Sequence, residues 1–181
     1  MSKPINPAAI GGFTVGALAL LVIGLLMFGG GQYFNQDKTR YVVFFDSSLN
    51  GLDIGAPVKM QGVKIGAVVS IALQVDARNG KVYKPVVVEI DRRSFLGAGG
   101  KPLPGTFSHE DQQQTRDSLV AKGFRARLET QSLLTGLLYV DFDKHADKQP
   151  QFSGVNYQDL VELPCVPTTT DEIRNTAEEL A

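Results

Sequence analysis

The sequence predicts a mainly β fold, a small barrel or sandwich of about a hundred residues, preceded by one membrane-spanning helix. Three observations support this prediction. Residues 10–28 form an apolar run without a charge, several short segments alternate apolar and polar side chains, and the chain contains 19 glycines and 9 prolines. Alternation with a period of two is typical of half-buried strands, and glycine and proline mark the turns between them.

The composition excludes several classes of function. Lys and Arg together number 18 against 19 Asp and Glu, so the chain lacks the basic excess that nucleic-acid binding requires. Cys165 is the single cysteine, and there are only two histidines. An intrachain disulfide is therefore impossible, and a structural zinc site of the Cys/His type is not expected.

Residues 1–34 are predicted to form an N-terminal segment with a transmembrane anchor. As a helix, the uncharged run from Ile10 to Phe28 would span roughly 28 Å, close to the thickness of a bilayer core. Asn6 and Pro7 resemble an N-cap followed by proline at the first helical position, and Gly29 follows the run. A cleavable signal peptide is the alternative, but the glycine-rich stretch after Phe28 is a poor cleavage site.

Small residues recur every fourth position near the start of this anchor. Ala8, Gly12 and Gly16 would share one helix face, against which another transmembrane helix could pack closely. Chance in a glycine-rich helix explains the spacing equally well. Because only a few residues precede the anchor, nearly the whole chain lies on one side of the membrane, and we expect that side to be the periplasm.

Residues 35–148 are predicted to form the β domain. The run from Tyr41 to Phe45 is β-branched and aromatic, as in a strand buried on both faces. In residues 67–75, the apolar side chains at 67, 69, 71, 73 and 75 would share the core face. Residues 86–91 would complete a hairpin with that strand, with Pro85 indicating an edge position.

An insertion at about residues 97–122 interrupts the strand pattern with glycine, proline and polar residues. Within it, residues 111–122 give a modest helix signal that Gly123 would end. Residues 124–129 and 138–143 alternate again and predict two more strands. Residues 149–181 are interpreted as a linker, with Pro164 and Pro167, and the start of a C-terminal helix that Thr169 and Glu172 would cap.

Enzyme motifs are mostly absent. Residues 97–101 resemble a phosphate loop only superficially, and His109-Glu110-Asp111 lacks the second histidine of a zinc hydrolase motif. Alternate positions from Asp141 to Asp147 carry Asp, Asp, His and Asp, which fits either a metal site or a solvated strand end. Cys165 has no activating neighbours in sequence. We therefore expect no catalytic residue, no metal and no cofactor.

The stretch from Gln131 to Leu138 joins the last two predicted strands and carries four leucines. If it is a hairpin tip, its leucines need a partner, a membrane or an apolar ligand, because hairpin tips are usually polar. If it is continuous core strand, no such function follows. The pattern alone favours neither alternative.

Two stretches of the sequence resemble one family. Residues 51–68 read GLDIGAPVKMQGVKIGAV, and residues 126–140 read ARLETQSLLTGLLYV. Together with the anchor, they resemble the mammalian cell entry (MCE) domain, of the MlaD type or the paraquat-inducible protein B type. The resemblance covers roughly residues 39 to 145. Its signature positions are Gly51, Gly55, Pro57, Gly62 and Gly66.

The resemblance implies a seven-stranded β-barrel in homohexameric rings that bind phospholipid in the periplasm, anchored in the bacterial inner membrane. It also implies an ABC permease and its ATPase as partners, and no reaction catalysed by this chain. The family's pore loop would fall on Leu133, Leu134, Thr135, Gly136, Leu137 and Leu138. The main rival function is a periplasmic adaptor of an inner-membrane pump without its own lipid path. An anchored enzyme that uses the Asp141–Asp147 cluster is a third, weaker hypothesis.

Overall fold

The computed structural model describes residues 7–29, 38–78, 80–97, 99–101 and 108–168. The chain divides between residues 37 and 38 into two units. The C-terminal helix that the sequence predicts from Thr169 lies outside the described residues. The same holds for Asn6, the predicted N-cap of the anchor.

The first unit contains helix α1, Pro7–Gly29, which is 23 residues long. It begins at the proline and ends at the glycine that the sequence indicates, so the predicted helix is confirmed. Within the described residues, no helix combines the length and the apolar character that crossing a membrane requires. The membrane span predicted for Ile10–Phe28 is therefore not confirmed.

The second unit contains a six-stranded sheet and a separate two-stranded ribbon. The strands are β1 Lys38–Phe44, β2 Pro57–Met60, β3 Val63–Ile71, β4 Gln74–Val75, β5 Val82–Tyr83, β6 Pro85–Asp91, β7 Phe124–Ser132 and β8 Leu137–Lys144. The sheet order is β1-β6-β3-β2-β8-β7, and β4 pairs with β5. All pairs are antiparallel except β2 with β8. The mainly β prediction is confirmed.

Residues 161–166 hydrogen-bond to both edge strands of the sheet. Val42 of β1 donates to the Val161 carbonyl at 3.0 Å and accepts from Leu163 at 2.8 Å. Ala126 of β7 donates to the Pro164 carbonyl at 2.8 Å and accepts from Val166 at 3.0 Å. The described residues form no closed barrel of seven regular strands, because this segment makes only isolated bridges.

The sequence analysis assigns these residues to a linker, whereas the structure packs part of that segment into the domain. Val161, Leu163, Cys165 and Val166 are all buried. The core of the domain is a cluster of mostly aliphatic residues from every strand of the main sheet, and it includes Val161, Leu163 and Cys165. The compact domain therefore extends beyond residue 148.

The predicted core face of residues 67–75 is only partly confirmed. The register of β3 against β6 shifts just after Val68, which is buried against the prediction, whereas Ile71 packs against the core as predicted. Leu73 and Val75 are exposed, and both follow the end of β3 at Ile71. The predicted edge position of Pro85 is also wrong, since β6 lies between β1 and β3. Proline is tolerated there because it is the first residue of the strand.

The insertion contains helix α2, His109–Ala121. Ser108 and Asp111 form a capping box, in which each side chain accepts from the backbone N–H of the other residue. The helix ends before Gly123, whose φ is +85°. Beyond the helix end, the buried Arg125 donates to the carbonyls of Val120 and Phe124. These contacts fix α2 against the start of β7.

Candidate functional site

The hairpin of β7 and β8 turns at residues 133–136, so the alternative of a continuous core strand is wrong. Leu133 and Leu134 are each 95% exposed at this tip, more than any other large apolar side chain of the described residues. Leu137 is 41% exposed, and Leu138 packs against the core. The tip therefore presents two adjacent leucines entirely to solvent.

The backbone of the tip is fixed by its own hydrogen bonds. The Ser132 carbonyl accepts from the N–H of Gly136 at 2.9 Å, and the Ser132 hydroxyl accepts from the N–H of Thr135 at 3.3 Å. Gly136 has a φ of +68°, which glycine adopts at little cost. The exposed leucines thus sit on an ordered turn.

Gly51 connects the tip to the loop before β2. Its carbonyl accepts from the N–H of Leu138 at 2.7 Å. Its φ is +93°, and a Cβ atom at this position would overlap the carbonyl oxygen of Gly136. Both the conformation and the close approach require glycine at position 51.

The other signature positions lie in β2, β3 and the turns beside them. Gly55 and Gly62 have positive φ values but open space around them, and Pro57 is the first residue of β2. Gly66 lies in β3, where a Cβ atom would overlap the Glu89 carbonyl of β6. At Gly66 the constraint is therefore the close approach of two strands.

A family profile described as MlaD protein matches residues 37–145, more than half of the chain. The chain belongs to the MlaD protein family. A solved structure of the Acinetobacter MlaFEDB complex, in an ATP-bound conformation called Vtrans1, contains a chain of 18% identity to this one. The match covers 88% of this chain and 98% of that chain, with a TM-score of 0.42.

In this MlaD-family chain, the small residues of α1 remain a predicted face for contact with another helix. Ala8, Gly12 and Gly16 are all exposed, and no atom beyond the helix backbone lies within 4 Å of a Cβ atom built at Gly12 or Gly16. Residues four apart in a helix lie on the same face. The spacing would thus allow close packing of another helix.

Two members of the acidic cluster, Asp141 and Asp143, lie in β8, whereas His145 and Asp147 follow the end of that strand. Asp141 pairs in register with Arg127 of β7 and with Lys59 of β2. Burial and the neighbouring Asp143 raise the pKa of Asp141. Among the described residues, no three His, Cys, Asp or Glu side chains form a group that could hold a metal.

His145 and Cys165 both lie in environments that oppose ionisation. Burial and the Arg127 charge lower the pKa of His145, so its neutral form is favoured. Burial raises the pKa of Cys165 to about 12, and its thiol donates to the Phe44 carbonyl at 3.0 Å. A thiol with this pKa is not a nucleophile at neutral pH.

The sequence analysis missed a cavity of about 720 Å³ between α2 and the sheet. Its volume lies in the range typical of ligand pockets, about 300–1,000 Å³. Its polar lining residues come from β1, from the segment after β6 and from α2 with its C-cap: Thr39, Tyr41, Arg92, Asp111, Gln114, Thr115, Ser118 and Lys122. No local motif could have indicated it, because its lining comes from many separate elements.

Proposed function

We propose that this chain is the MCE subunit of a phospholipid transporter and that its leucine tip contacts the lipid in transit. The observation that carries the proposal is the pair Leu133 and Leu134, each 95% exposed on an ordered turn. Leaving such a side chain in water forgoes about 1.5–3 kcal/mol of burial free energy. A surface of this kind is expected where an apolar ligand or another copy covers it.

The proposed path is a channel lined by six copies of the tip in a homohexameric ring. An acyl chain loses about 0.8 kcal/mol for each CH₂ group exposed to water, so transport through the periplasm needs a continuous apolar lining. Leucines provide this lining without specific hydrogen bonds to the lipid. Thr135 and Gly136 complete the turn, and Leu137 and Leu138 extend the apolar surface toward the core.

We infer that residues 161–166 act as the seventh strand of a small barrel. Their hydrogen bonds to Val42 of β1 and to Ala126 of β7 join the two edges of the six-stranded sheet. Pro164 removes one N–H from this segment, which explains why its pairing is limited to isolated bridges. A closed sheet has no free edge for unwanted strand pairing.

We also propose that α1 attaches the domain to the bacterial inner membrane, with the β domain in the periplasm. Its apolar side chains are exposed, including Phe13 at 79% and Leu20 at 72%. An ABC permease with its ATPase would be the partner in the membrane, contacted along Ala8, Gly12 and Gly16. Alkaline carbonate washing of membranes tests this attachment, because a spanning helix stays in the pellet whereas a peripheral one is released.

The decisive experiment compares two double variants of the full chain by native mass spectrometry. In Leu133→Asp/Leu134→Asp, the tip loses its apolar character. The matched control is Leu73→Asp/Val75→Asp. It changes two apolar side chains outside the tip, which are 71% and 62% exposed. We expect hexamers with phospholipid adducts for the native chain and the control, and hexamers without adducts for the tip variant.

Phospholipid adducts retained by the tip variant would contradict a role of the leucines in lipid binding. A native hexamer that carries no lipid at all would favour the adaptor function. A native chain that stays monomeric would contradict the ring.

A further inference from the structure

Ile54 is an exposed apolar residue on a turn near the leucine tip. Its side chain is 68% exposed, and it lies in the loop that leads from Gly51 to the start of β2 at Pro57. Turns usually carry glycine, proline or polar residues. A single exposed apolar side chain is common on protein surfaces, so the position of Ile54 relative to the tip decides whether it has a role.

The loop that carries Ile54 touches the tip at Gly51. The Gly51 carbonyl accepts from the N–H of Leu138 at 2.7 Å, and a Cβ atom at Gly51 would overlap the Gly136 carbonyl oxygen. Ile54 follows Gly51 by three residues, which span at most roughly 11 Å. One acyl chain of a bilayer spans about 15 Å, half of the hydrocarbon core. A single chain is therefore long enough to reach from Ile54 to the tip.

The strand register places Ile54 at the tip end of the β domain. β2 pairs in parallel with β8, and Val58 lies opposite Val140. Three residues before this pair, Gly55 and Leu137 therefore lie at about the same level of the sheet. Leu137 is the residue with which β8 begins, directly after the tip. Ile54 precedes Gly55 and is thus level with the tip itself.

Backbone hydrogen bonds hold the turn that carries Ile54. The Ala56 N–H donates to the Asp53 carbonyl at 3.0 Å, which closes the turn. The Gly55 N–H donates to the Val68 carbonyl at 2.8 Å, which joins the turn to β3. Because the backbone is already ordered, covering the Ile54 side chain costs little further conformational entropy.

We propose that Ile54 is a second lipid contact of each subunit, which binds the acyl chain of the phospholipid at the leucine tip. This inference rests on the proposed function and deepens it, because it adds a residue outside residues 133–138. The path would be lined by two elements of each subunit, the tip and the turn of residues 53–56. An isoleucine side chain offers no hydrogen bond, so the contact recognises the hydrocarbon chain and not the head group.

Photocrosslinking in the full chain tests this contact directly. The photoreactive amino acid p-benzoylphenylalanine replaces Ile54, Leu134 or Val63, one position per chain. The cells that make the protein incorporate radioactive phosphate into their phospholipids. After irradiation, we expect labelled phospholipid on the chains altered at Ile54 and at Leu134, and only background labelling on the chain altered at Val63.

Val63 is the matched control, because it is also β-branched and is 62% exposed. It begins β3 and pairs with Met60, two positions beyond Val58. Leu137 lies three positions before Val140, the partner of Val58. At about 3.3 Å per residue, Val63 is therefore roughly 17 Å from the level of Leu137 along the strands.

The three positions separate this proposal from the proposed function. Phospholipid bound at Leu134 but not at Ile54 would overturn the second contact and leave the leucine tip as the lipid site. Phospholipid at neither position would contradict the lipid path and the second contact together. Labelling at Val63 as strong as at Ile54 would show a contact that is not specific to the tip end, and it would also overturn the proposal.

Ile54→Asp tests whether the contact contributes to binding. Native mass spectrometry of the full chain should show hexamers with at least about fivefold fewer phospholipid adducts. Val63→Asp should keep the native level, and Ile54→Leu should keep it too, because leucine is also apolar. Melting temperatures of the three variants show whether each is folded.

Two results of this second experiment would overturn the proposal. One is a native level of adducts in a folded Ile54→Asp chain. The other is a loss of hexamers in Ile54→Asp alone, which would assign Ile54 to a contact between copies of the chain.

Discussion

The two ends of the β7–β8 hairpin differ in whether their apolar side chains are exposed or buried. At the tip, Leu133 and Leu134 face solvent on a turn that backbone hydrogen bonds hold in place. At the other end, Phe124 and Phe142 stack at 5.9 Å between centroids and both line the cavity. The tip thus has apolar surface that the domain does not need for its own stability, whereas the apolar residues at the cavity end belong to the core or pack against it.

The largest expected effect is a difference in the free energy of unfolding between two variants, one at each end of the hairpin. Phe142→Ala removes a ring that is 3% exposed and should lower the free energy of unfolding by about 3–5 kcal/mol. Leu134→Ala should change it by less than about 0.5 kcal/mol. Urea unfolding of both variants measures the difference. A costly Leu134→Ala would mean that the tip is buried in the folded protein, for example between copies.

A second prediction concerns how the tip is held. Gly51 and Gly55 share a φ of +93°, but only at Gly51 would a Cβ atom meet the Gly136 carbonyl. We expect Gly55→Ala to cost about 1–2 kcal/mol, the usual penalty of this backbone region. Gly51→Ala should cost at least about 2 kcal/mol more, because the tip must move. Equal costs in urea unfolding would show that the approach of Gly136 is not a constraint.

The alternation of apolar residues was enough to predict β7 and β8, but it left open whether a turn separates them. It was not enough for residues 67–75, because a bulge follows Val68 and β3 ends at Ile71, before Leu73 and Val75. Residues 161–166 were missed although Val161, Leu163 and Cys165 alternate, because Pro164 and Pro167 indicated a linker. Backbone hydrogen bonds place this segment at both sheet edges.

The tip and the cavity also differ in how far the sequence could predict them. The four leucines of residues 131–138 could be noticed in the sequence, but the pattern did not decide whether they lie at a tip or in a continuous strand. The cavity could not be predicted, because Tyr41, Arg92 and Lys122 come together only when α2 packs beside the sheet. Tyr41 has the sequence pattern of an ordinary core residue in a buried strand, and only the fold shows that it lines the cavity.

A third prediction sharpens the role of α2 at the cavity end. Ser108→Ala removes the hydroxyl that caps the helix and contacts Asp111. Its cost should be about 1 kcal/mol, and α2 should become more accessible to limited proteolysis while the tip does not. Ser132→Ala is the matched change at the tip, where the lost contact is a single hydrogen bond of 3.3 Å. Equal protease protection of α2 in both variants would contradict the capping role.

The smallest expected effect is a pH dependence of the free energy of unfolding, which only the cavity end of the hairpin should show. The tip residues 133–138 contain no titratable group, whereas β1 begins near the cavity with Lys38 and Arg40, which bind Glu89 at 2.9 and 3.1 Å. The hydrogen bond from Lys38 is the main cause that lowers the pKa of Glu89 below its ordinary value of 4.5. A lowered pKa stabilises the folded state above the unfolded pKa, and this contribution is lost as the pH falls through the folded pKa.

Glu89→Gln should therefore lower the free energy of unfolding by up to about 1 kcal/mol at pH 7. The difference between native chain and variant should shrink as the pH falls below about 4.5 and vanish once Glu89 is protonated in the folded state. Urea unfolding at several pH values measures this, and a double-mutant cycle with Lys38→Gln assigns the effect to the pair. Leu134→Ala should show no such pH dependence, since it touches no charge. A difference for Glu89→Gln that persists unchanged at low pH would contradict the ion pair as its cause, because glutamine keeps the shape of glutamate and changes only its charge and hydrogen bonding.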